Sequence, residues 1–222
     1  MKKAVVIVSG GLDSMTLAYY MQSEGYDLHL LSFDYGQQHR KELSYAKQGA
    51  KELQAQYNFI DISSVGKLLK GSALTDDDVS VPDGHYAANN MHLTVVPNRN
   101  AVMLSIGFSI AAAVGSDTVA IGVHGGDHFI YPDCRPAFIK SFEEMERLSL
   151  GEYSEVNLFA PFIDQSKAGI VKIGAEIGVP FSETWSCYKG GAYHCGTCGT
   201  CVERREAFEL AGVEDPTIYL NA

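Results

Sequence analysis

No apolar run in this chain of 222 residues reaches the ~18 residues that a membrane-spanning helix needs. The best candidate, Ala101–Val114, is shorter and is interrupted by Ser105, Gly107 and Ser109. A signal-peptide core is missing as well, since Lys2-Lys3 lead only into the short apolar stretch Ala4–Val8. Positive charge is scarce: 17 basic residues stand against 27 acidic ones, a net charge of −10. Proteins that hold polyanions carry a basic footprint, so direct binding to nucleic acid is not expected. The basic residues are scattered, with Lys2-Lys3 and Arg204-Arg205 as doublets. There is no internal repeat, no low-complexity tract and no linker to divide the chain. These absences leave a single cytoplasmic domain over residues 1–222, acting on a small molecule.

What is present begins at Ser9. The apolar run Ala4–Val8 passes into Ser9-Gly10-Gly11-Leu12-Asp13-Ser14 and then into the amphipathic run Met15–Met21. This order reads as strand, tight turn, helix, with Ser14 expected to cap the helix. Glycines let the backbone turn sharply and approach a ligand, and the first N–H groups of the helix converge on the same turn. The result is an anion site, to which Ser9 and Ser14 add hydroxyl donors. It lacks the lysine and the length of the GxxxxGK[ST] phosphate loop. It resembles instead the pyrophosphate loop (SGGxDS) of the ATP pyrophosphatases, which split ATP between its α- and β-phosphates. That resemblance implies ATP held by Ser9, Gly10, Gly11, Leu12, Asp13 and Ser14.

Downstream, strand and helix signals alternate. Leu28–Phe33 and Phe59–Ile62 read as strands, Arg40–Tyr57 as an amphipathic helix, Ala101–Val114 as an apolar helix, and Thr118–Val123 as a strand buried on both faces. Alternation of this kind implies an α/β fold, doubly wound around a mainly parallel sheet. Ligands bind at the carboxyl ends of the strands in such folds, so the Gly loop, Asp34, Arg99 and His124 are expected on one rim. Gly71–Asn90 has no periodicity and is long for a loop inside a domain, which suggests a lid.

Four of the five cysteines fall late in the chain, at Cys187, Cys195, Cys198 and Cys201. Two overlapping C-x-x-C units and a cysteine upstream can wrap one ion in tetrahedral S₄ geometry. A disulfide framework does not suit a reducing compartment. Zn²⁺ is the expected ion, with an iron–sulfur cluster as the competing reading. C-x₂-C-x₂-C also occurs in ferredoxins, but with a fourth cysteine after it. Here Cys201 is followed by the amphipathic run Val202–Leu210. The four thiolates then form a clip that pins residues 183–222 to the domain.

Five stretches together carry a wider resemblance: the SGGLDS loop, FDYGQQHRKEL (Phe33–Leu43), VPNRN (Val96–Asn100), GVHGGDHFIYPDCRPAF (Gly122–Phe138) and the terminal cysteine set. Over nearly the whole chain they resemble the QueC family, the 7-cyano-7-deazaguanine synthases. Leu12 stands where many members of that family carry Gln. The resemblance implies an adenine nucleotide alpha hydrolase-like fold, one zinc per chain and a homodimer. It also implies an ATP-dependent ligase of queuosine biosynthesis that turns 7-carboxy-7-deazaguanine and ammonia into the nitrile.

Two successive adenylations of an inert acceptor need positioning and charge stabilisation more than a protein nucleophile. Mg²⁺ would bridge phosphate oxygens, with Asp13 as its first contact. Arg99 and Lys167 are candidates to hold phosphates or the substrate carboxylate. Asp127, Asp133 and Arg135 are candidates for the base, whose N1–H and exocyclic amine are donors. Cys134 is expected to be a buried core thiol, and His124 and His128 have no readable partner. Three other readings stay open: a relative that stops at the amide or adenylates another acceptor, a tRNA-modifying enzyme, and a nonenzymatic zinc module.

Overall fold

In the computed structural model, which describes residues 2–86 and 89–221, five parallel strands form one sheet in the order β3-β2-β1-β4-β5. They are β1 (Lys3–Ile7), β2 (Asp27–Asp34), β3 (Gln56–Asp61), β4 (Thr118–Ala120) and β5 (Asn157–Phe159). The helices are α1 (Leu12–Ser23), α2 (Lys41–Glu52), α3 (Ser63–Gly66), α4 (Arg99–Val114), α5 (Pro136–Leu150), α6 (Lys167–Glu176) and α7 (Gly199–Ala211). None of the helices described is long and apolar enough to cross a membrane.

Alternate residues of a strand face opposite sides, and both sides are apolar here. Ala4, Val6, Leu28 and Leu30 meet Leu17, Met21, Ala46, Ile170 and Phe208, from α1, α2, α6 and α7. Val5, Ile7, Leu31 and Phe33 meet Leu104, Phe108 and Phe142, from α4 and α5. The sheet is therefore covered on both faces, as the doubly wound expectation required. Strand order reverses at β1, with β2 on one side and β4 on the other. The crevice at such a reversal is where ligands bind.

The expected elements differ in extent. The helix expected over Arg40–Tyr57 ends at Glu52, because Gln54 takes a left-handed φ of 51° and turns the chain. Tyr57 lies in β3, paired with Leu30. The strand expected over Thr118–Val123 stops at Ala120, where its edge partner β5 also ends. Gly122 then passes so close to the Asp13 carbonyl that a Cβ would sit 3.2 Å from it. Helix α5 and strand β5 go beyond the elements expected from sequence.

Within Gly71–Asn90, residues 87 and 88 lie outside the described residues. The stretch before them is held in place. Gln38 Nε2 donates to the carbonyls of Asp76 (2.7 Å) and Ala73 (3.3 Å), and the Asp76 carboxylate accepts the Gly71 N–H at 2.9 Å.

Candidate active site

The loop after β1 is built by close backbone contacts. Gly10 has φ +93° and lies against α2, where an added Cβ would stand 2.0 Å from the Glu42 carbonyl oxygen. Its own carbonyl accepts the Trp185 N–H at 2.9 Å. Helix α1 starts at Leu12 with Gly11 as its N-cap, and no side chain caps it. The expected capping role of Ser14 is therefore corrected. Ser14 lies within the first turn, where its hydroxyl donates to the Gly11 carbonyl (3.2 Å) and accepts the Ser9 N–H (3.1 Å). It folds the loop back on itself and leaves the first-turn N–H groups of Leu12, Asp13 and Ser14 without intrahelical acceptors.

These residues open onto a cavity of about 210 Å³. Its walls include Ser9, Gly11–Ser14, Tyr35, Glu42, Arg99, Asp127, Cys134, Lys167, Trp185, Tyr188 and Glu203. Val81, Pro82 and Tyr86 of the expected lid also line it. Helix α6, capped by Ser166 through the Gly169 N–H (3.1 Å), delivers Lys167 from its first residue. The Lys167 ammonium lies 2.5 Å from Glu203 Oε2 and 3.2 Å from Asp13 Oδ2. Burial alone would push its pKa down, but the carboxylates of Asp13, Glu203 and Asp127 outweigh that and hold it above its ordinary value. Lys167 is thus a fixed cation and cannot serve as a base near neutral pH. Burial pushes Asp127 up, with His124 and Lys167 opposing.

Arg99 enters from the start of α4. Its guanidinium carbon lies 5.6 Å from the centre of the Tyr35 ring, and Nη1 donates to the Tyr35 hydroxyl at 3.4 Å. Glu42 faces the same cavity, and burial, partly countered by Arg99, pushes its pKa up to about 7.

Asp13, Ser14, Arg99, Lys167 and Asp127 are thus brought together; Asp133 and Arg135 are not. The Asp133 carboxylate accepts the Asn100 N–H at 2.9 Å and caps the first turn of α4. Arg135 is exposed and donates from Nε to the His128 carbonyl at 2.6 Å. Neither lines the cavity. Asp34, the last residue of β2, stands at the strand end as expected but does not line the cavity, and it pairs with Arg40 at 3.1 Å. Cys134 is a buried thiol 3.3 Å from Asn100 Nδ2, and burial pushes its pKa up, which suits a packing role rather than a nucleophile.

Glu203 escaped the sequence reading, and His124, expected on the rim, gains partners that the sequence did not show. His124, 1% exposed, accepts the Gly126 N–H at Nδ1 (3.1 Å). Its Nε2 faces Asp127 Oδ2 at 3.5 Å and Asp13 Oδ2 at 3.9 Å. Glu203, the partner of Lys167, lies two residues beyond the last clustered cysteine. No local pattern marks either one, because their partners are distant in sequence.

The sulfurs of Cys187, Cys195, Cys198 and Cys201 lie within 4.8 Å of one another and are buried. The Cys195–Cys201 and Cys198–Cys201 separations are 3.8 and 3.5 Å. Tetrahedral ligands about 2.3 Å from one ion would stand about 3.8 Å apart. The N–H groups of Thr197 and Cys198 point at Cys195 Sγ, at 3.4 and 3.3 Å. The group can hold a single metal ion. Its segment is pinned to the domain, with Lys41 Nζ donating to the carbonyls of Gly191 (2.9 Å) and Ala192 (2.6 Å).

A doubly wound sheet whose β1 loop presents Ser-Gly-Gly at the strand reversal is an ATP-pyrophosphatase-type domain. The fold is shared with NMN synthetase from Francisella tularensis, at a TM-score of 0.53 and 13% identity, over 95% of this chain and 77% of that one. Residues 3–212 match the family described as Queuosine biosynthesis protein QueC, and the chain belongs to that family. The 7-cyano-7-deazaguanine synthase of Ruegeria sp. (strain TM1040) is 61% identical over 99% of this chain and 94% of that protein. The protein of the same name from Rhizobium rhizogenes (strain K84) is 61% identical over 98% and 92%.

Proposed function

We propose that this protein is an ATP-dependent ligase that converts 7-carboxy-7-deazaguanine and ammonia into 7-cyano-7-deazaguanine. The observation that carries the reading is one cavity, in a QueC-family chain, that gathers the Ser-Gly-Gly loop, the Lys167–Asp13 pair and Arg99. A carboxylate resists ammonia because its leaving group would be oxide. Attack of the carboxylate oxygen on the α-phosphorus of ATP expels pyrophosphate and forms the acyl adenylate. Ammonia adds to that carbonyl, AMP leaves, and the amide remains after loss of a proton. A second ATP then adenylates the amide oxygen, with pyrophosphate again expelled and one of the two N–H protons lost. Loss of AMP and of the remaining N–H proton leaves the nitrile.

The loop N–H groups of Leu12, Asp13 and Ser14 receive phosphate oxygens, as helix N-termini do. Lys167 supplies a fixed positive charge where the pyrophosphate departs, and Arg99 offers a planar fork to a carboxylate or phosphate. Asp127 is the remaining carboxylate of the predicted base-binding group and offers an acceptor to the donors of the deazaguanine.

The residues present also fit a Mg²⁺ ion. Asp13 Oδ1 is buried without a hydrogen-bond partner. The cavity wall carries four carboxylates, Asp13, Glu42, Asp127 and Glu203, but only Arg99 and Lys167 as cations among the described residues. Mg²⁺, when bound, neutralises phosphate oxygens, and Asp13 would hold it. The four cysteines fit zinc by the separation of their sulfurs, and zinc there supplies folding energy. Residues 183–222 then act as a clip on a single domain. The homodimer rests on the family resemblance, the cytoplasmic location on the lack of an apolar run long enough to span a membrane, and the absence of a nucleic-acid partner on the net charge of −10.

The test is mass spectrometry of the products from 7-carboxy-7-deazaguanine, ammonium, Mg²⁺ and ATP, with Asp13→Ala as the control. The nitrile is expected together with AMP, and Asp13→Ala should form neither. Accumulation of the amide would limit the enzyme to the first half of the reaction. AMP formation stimulated by tRNA and not by the free base would overturn the reading.

A further inference from the structure

Helix α7 links two centres that the sequence keeps separate. Cys198 is its N-cap and Cys201 its third residue, so the cysteine cluster holds the start of the helix. Gly199, Thr200 and Glu203 lie on one side of the same turn, three and four residues apart, and all three line the cavity. Glu203 is 8% exposed. Its Oε2 takes the Lys167 ammonium at 2.5 Å, and the same ammonium reaches Asp13 Oδ2 at 3.2 Å. Its Oε1 lies over the backbone of Gly126, where an added Cβ would approach it to 3.5 Å. A lysine side chain is long and flexible, and here one carboxylate on each side sets where its charge stands.

We propose that Glu203 is a positioning residue. It fixes Lys167 against Asp13, so the cysteine-anchored helix sets the place of the cation that meets the departing pyrophosphate. The inference rests on reading the cavity as an ATP-splitting site. Glu203 acts through Lys167 and touches no reacting atom. Its effect therefore falls on the transition state more than on ATP binding, since misplacing a catalytic group by about 1 Å can cost as much as about a hundredfold in rate.

The experiment is a double-mutant cycle of Glu203→Gln and Lys167→Met, read by AMP formation from 7-carboxy-7-deazaguanine. It is accompanied by metal content, melting temperature and titration of a non-hydrolysable ATP analogue. Glu203→Gln should lower kcat by about ten- to a hundredfold. It should move the KM for ATP and the analogue's affinity by less than about threefold, and leave the metal content unchanged. In the Lys167→Met background it should cost less than about a further twofold, because coupled residues are not additive. Equal losses in both backgrounds would overturn the proposal, as would an unchanged kcat with a lowered melting temperature, or loss of the metal. Failure of both Glu203→Gln and Glu203→Asp to fold would make Glu203 a structural residue and overturn it too. A wild-type protein that binds the analogue but forms no AMP with the acid would instead remove the proposed function.

Discussion

Replacing Gly10 with alanine should damage the protein far more than the same change at its neighbour Gly11, and the contrast follows from backbone geometry. At Gly10 φ is +93°, a conformation that costs an L-residue about 1–2 kcal/mol. The new Cβ would lie 2.0 Å from the Glu42 carbonyl oxygen and 2.8 Å from the Ala46 nitrogen. Both are backbone atoms of α2 and cannot swing aside, so loop and helix must separate, at an overpacking cost of about 1–3 kcal/mol. The sum is about 2–5 kcal/mol, or about 4–20 °C in Tm for a chain of this size. Separation also strains the bond from the Trp185 N–H to the Gly10 carbonyl, so AMP formation should fall with stability. At Gly11 the φ is an ordinary −77°. Its Cβ would meet the Ser9 hydroxyl at 3.2 Å and the Trp185 carbonyl at 3.5 Å. A hydroxyl can rotate, so Gly11→Ala should lose less than about 1 kcal/mol. Thermal unfolding followed by circular dichroism reads both. A Gly10→Ala protein melting within about 2 °C of the wild type, or a Gly11→Ala protein less stable than it, would refute the argument.

Cys198→Ser should lose metal and stability together, because binding free energy at such a cluster is also folding free energy. Elemental analysis should find about one zinc per wild-type chain and little iron, and a stable metal-free variant would remove the clip. Asp133→Ala should cost about 1 kcal/mol through loss of the cap at Asn100, and leave the KM for the base within about threefold. A tenfold rise in that KM would restore Asp133 to the substrate site. Glu42 introduces a pH dependence. Its pKa in the folded protein is raised to about 7 from 4.5. A raised acid contributes stability that is fully present below the unfolded value and lost as pH climbs through the folded one. Stability should therefore fall between about pH 4.5 and 7 by at most about 3 kcal/mol. Glu42→Gln should remove that part of the slope, as melting curves across the range would read, and identical slopes would contradict it.

The features legible in the sequence are those encoded within a few consecutive residues. An apolar strand, two glycines and a helix make an anion-binding turn wherever they fold, so Ser9–Ser14 could be read without coordinates. The cysteines are similar, since C-x₂-C-x₂-C brings thiolates together through local chain geometry. The doubly wound sheet followed from alternating strand and helix signals. Its boundaries did not, because the end of α2 depends on the left-handed turn at Gln54, and β4 stops where β5 stops pairing.

Side-chain direction needed the tertiary structure. Asp127, Asp133 and Arg135 share one short segment and the same sequence argument, yet only Asp127 faces the cavity. Asp133 lies within reach of an unpaired helix N–H, and Arg135 points outward to a carbonyl. Composition and spacing cannot separate these fates, because they depend on what packs across the segment. The chain Glu203–Lys167–Asp13 draws on three helices, and Glu203 stands 36 positions after Lys167. The sequence by itself determined the phosphate-binding turn, the thiolate cluster and the order of layers, because short-range sterics and periodicity decide them. Only the tertiary structure decided which carboxylates meet Lys167, because long-range packing chooses the partners of a buried charge.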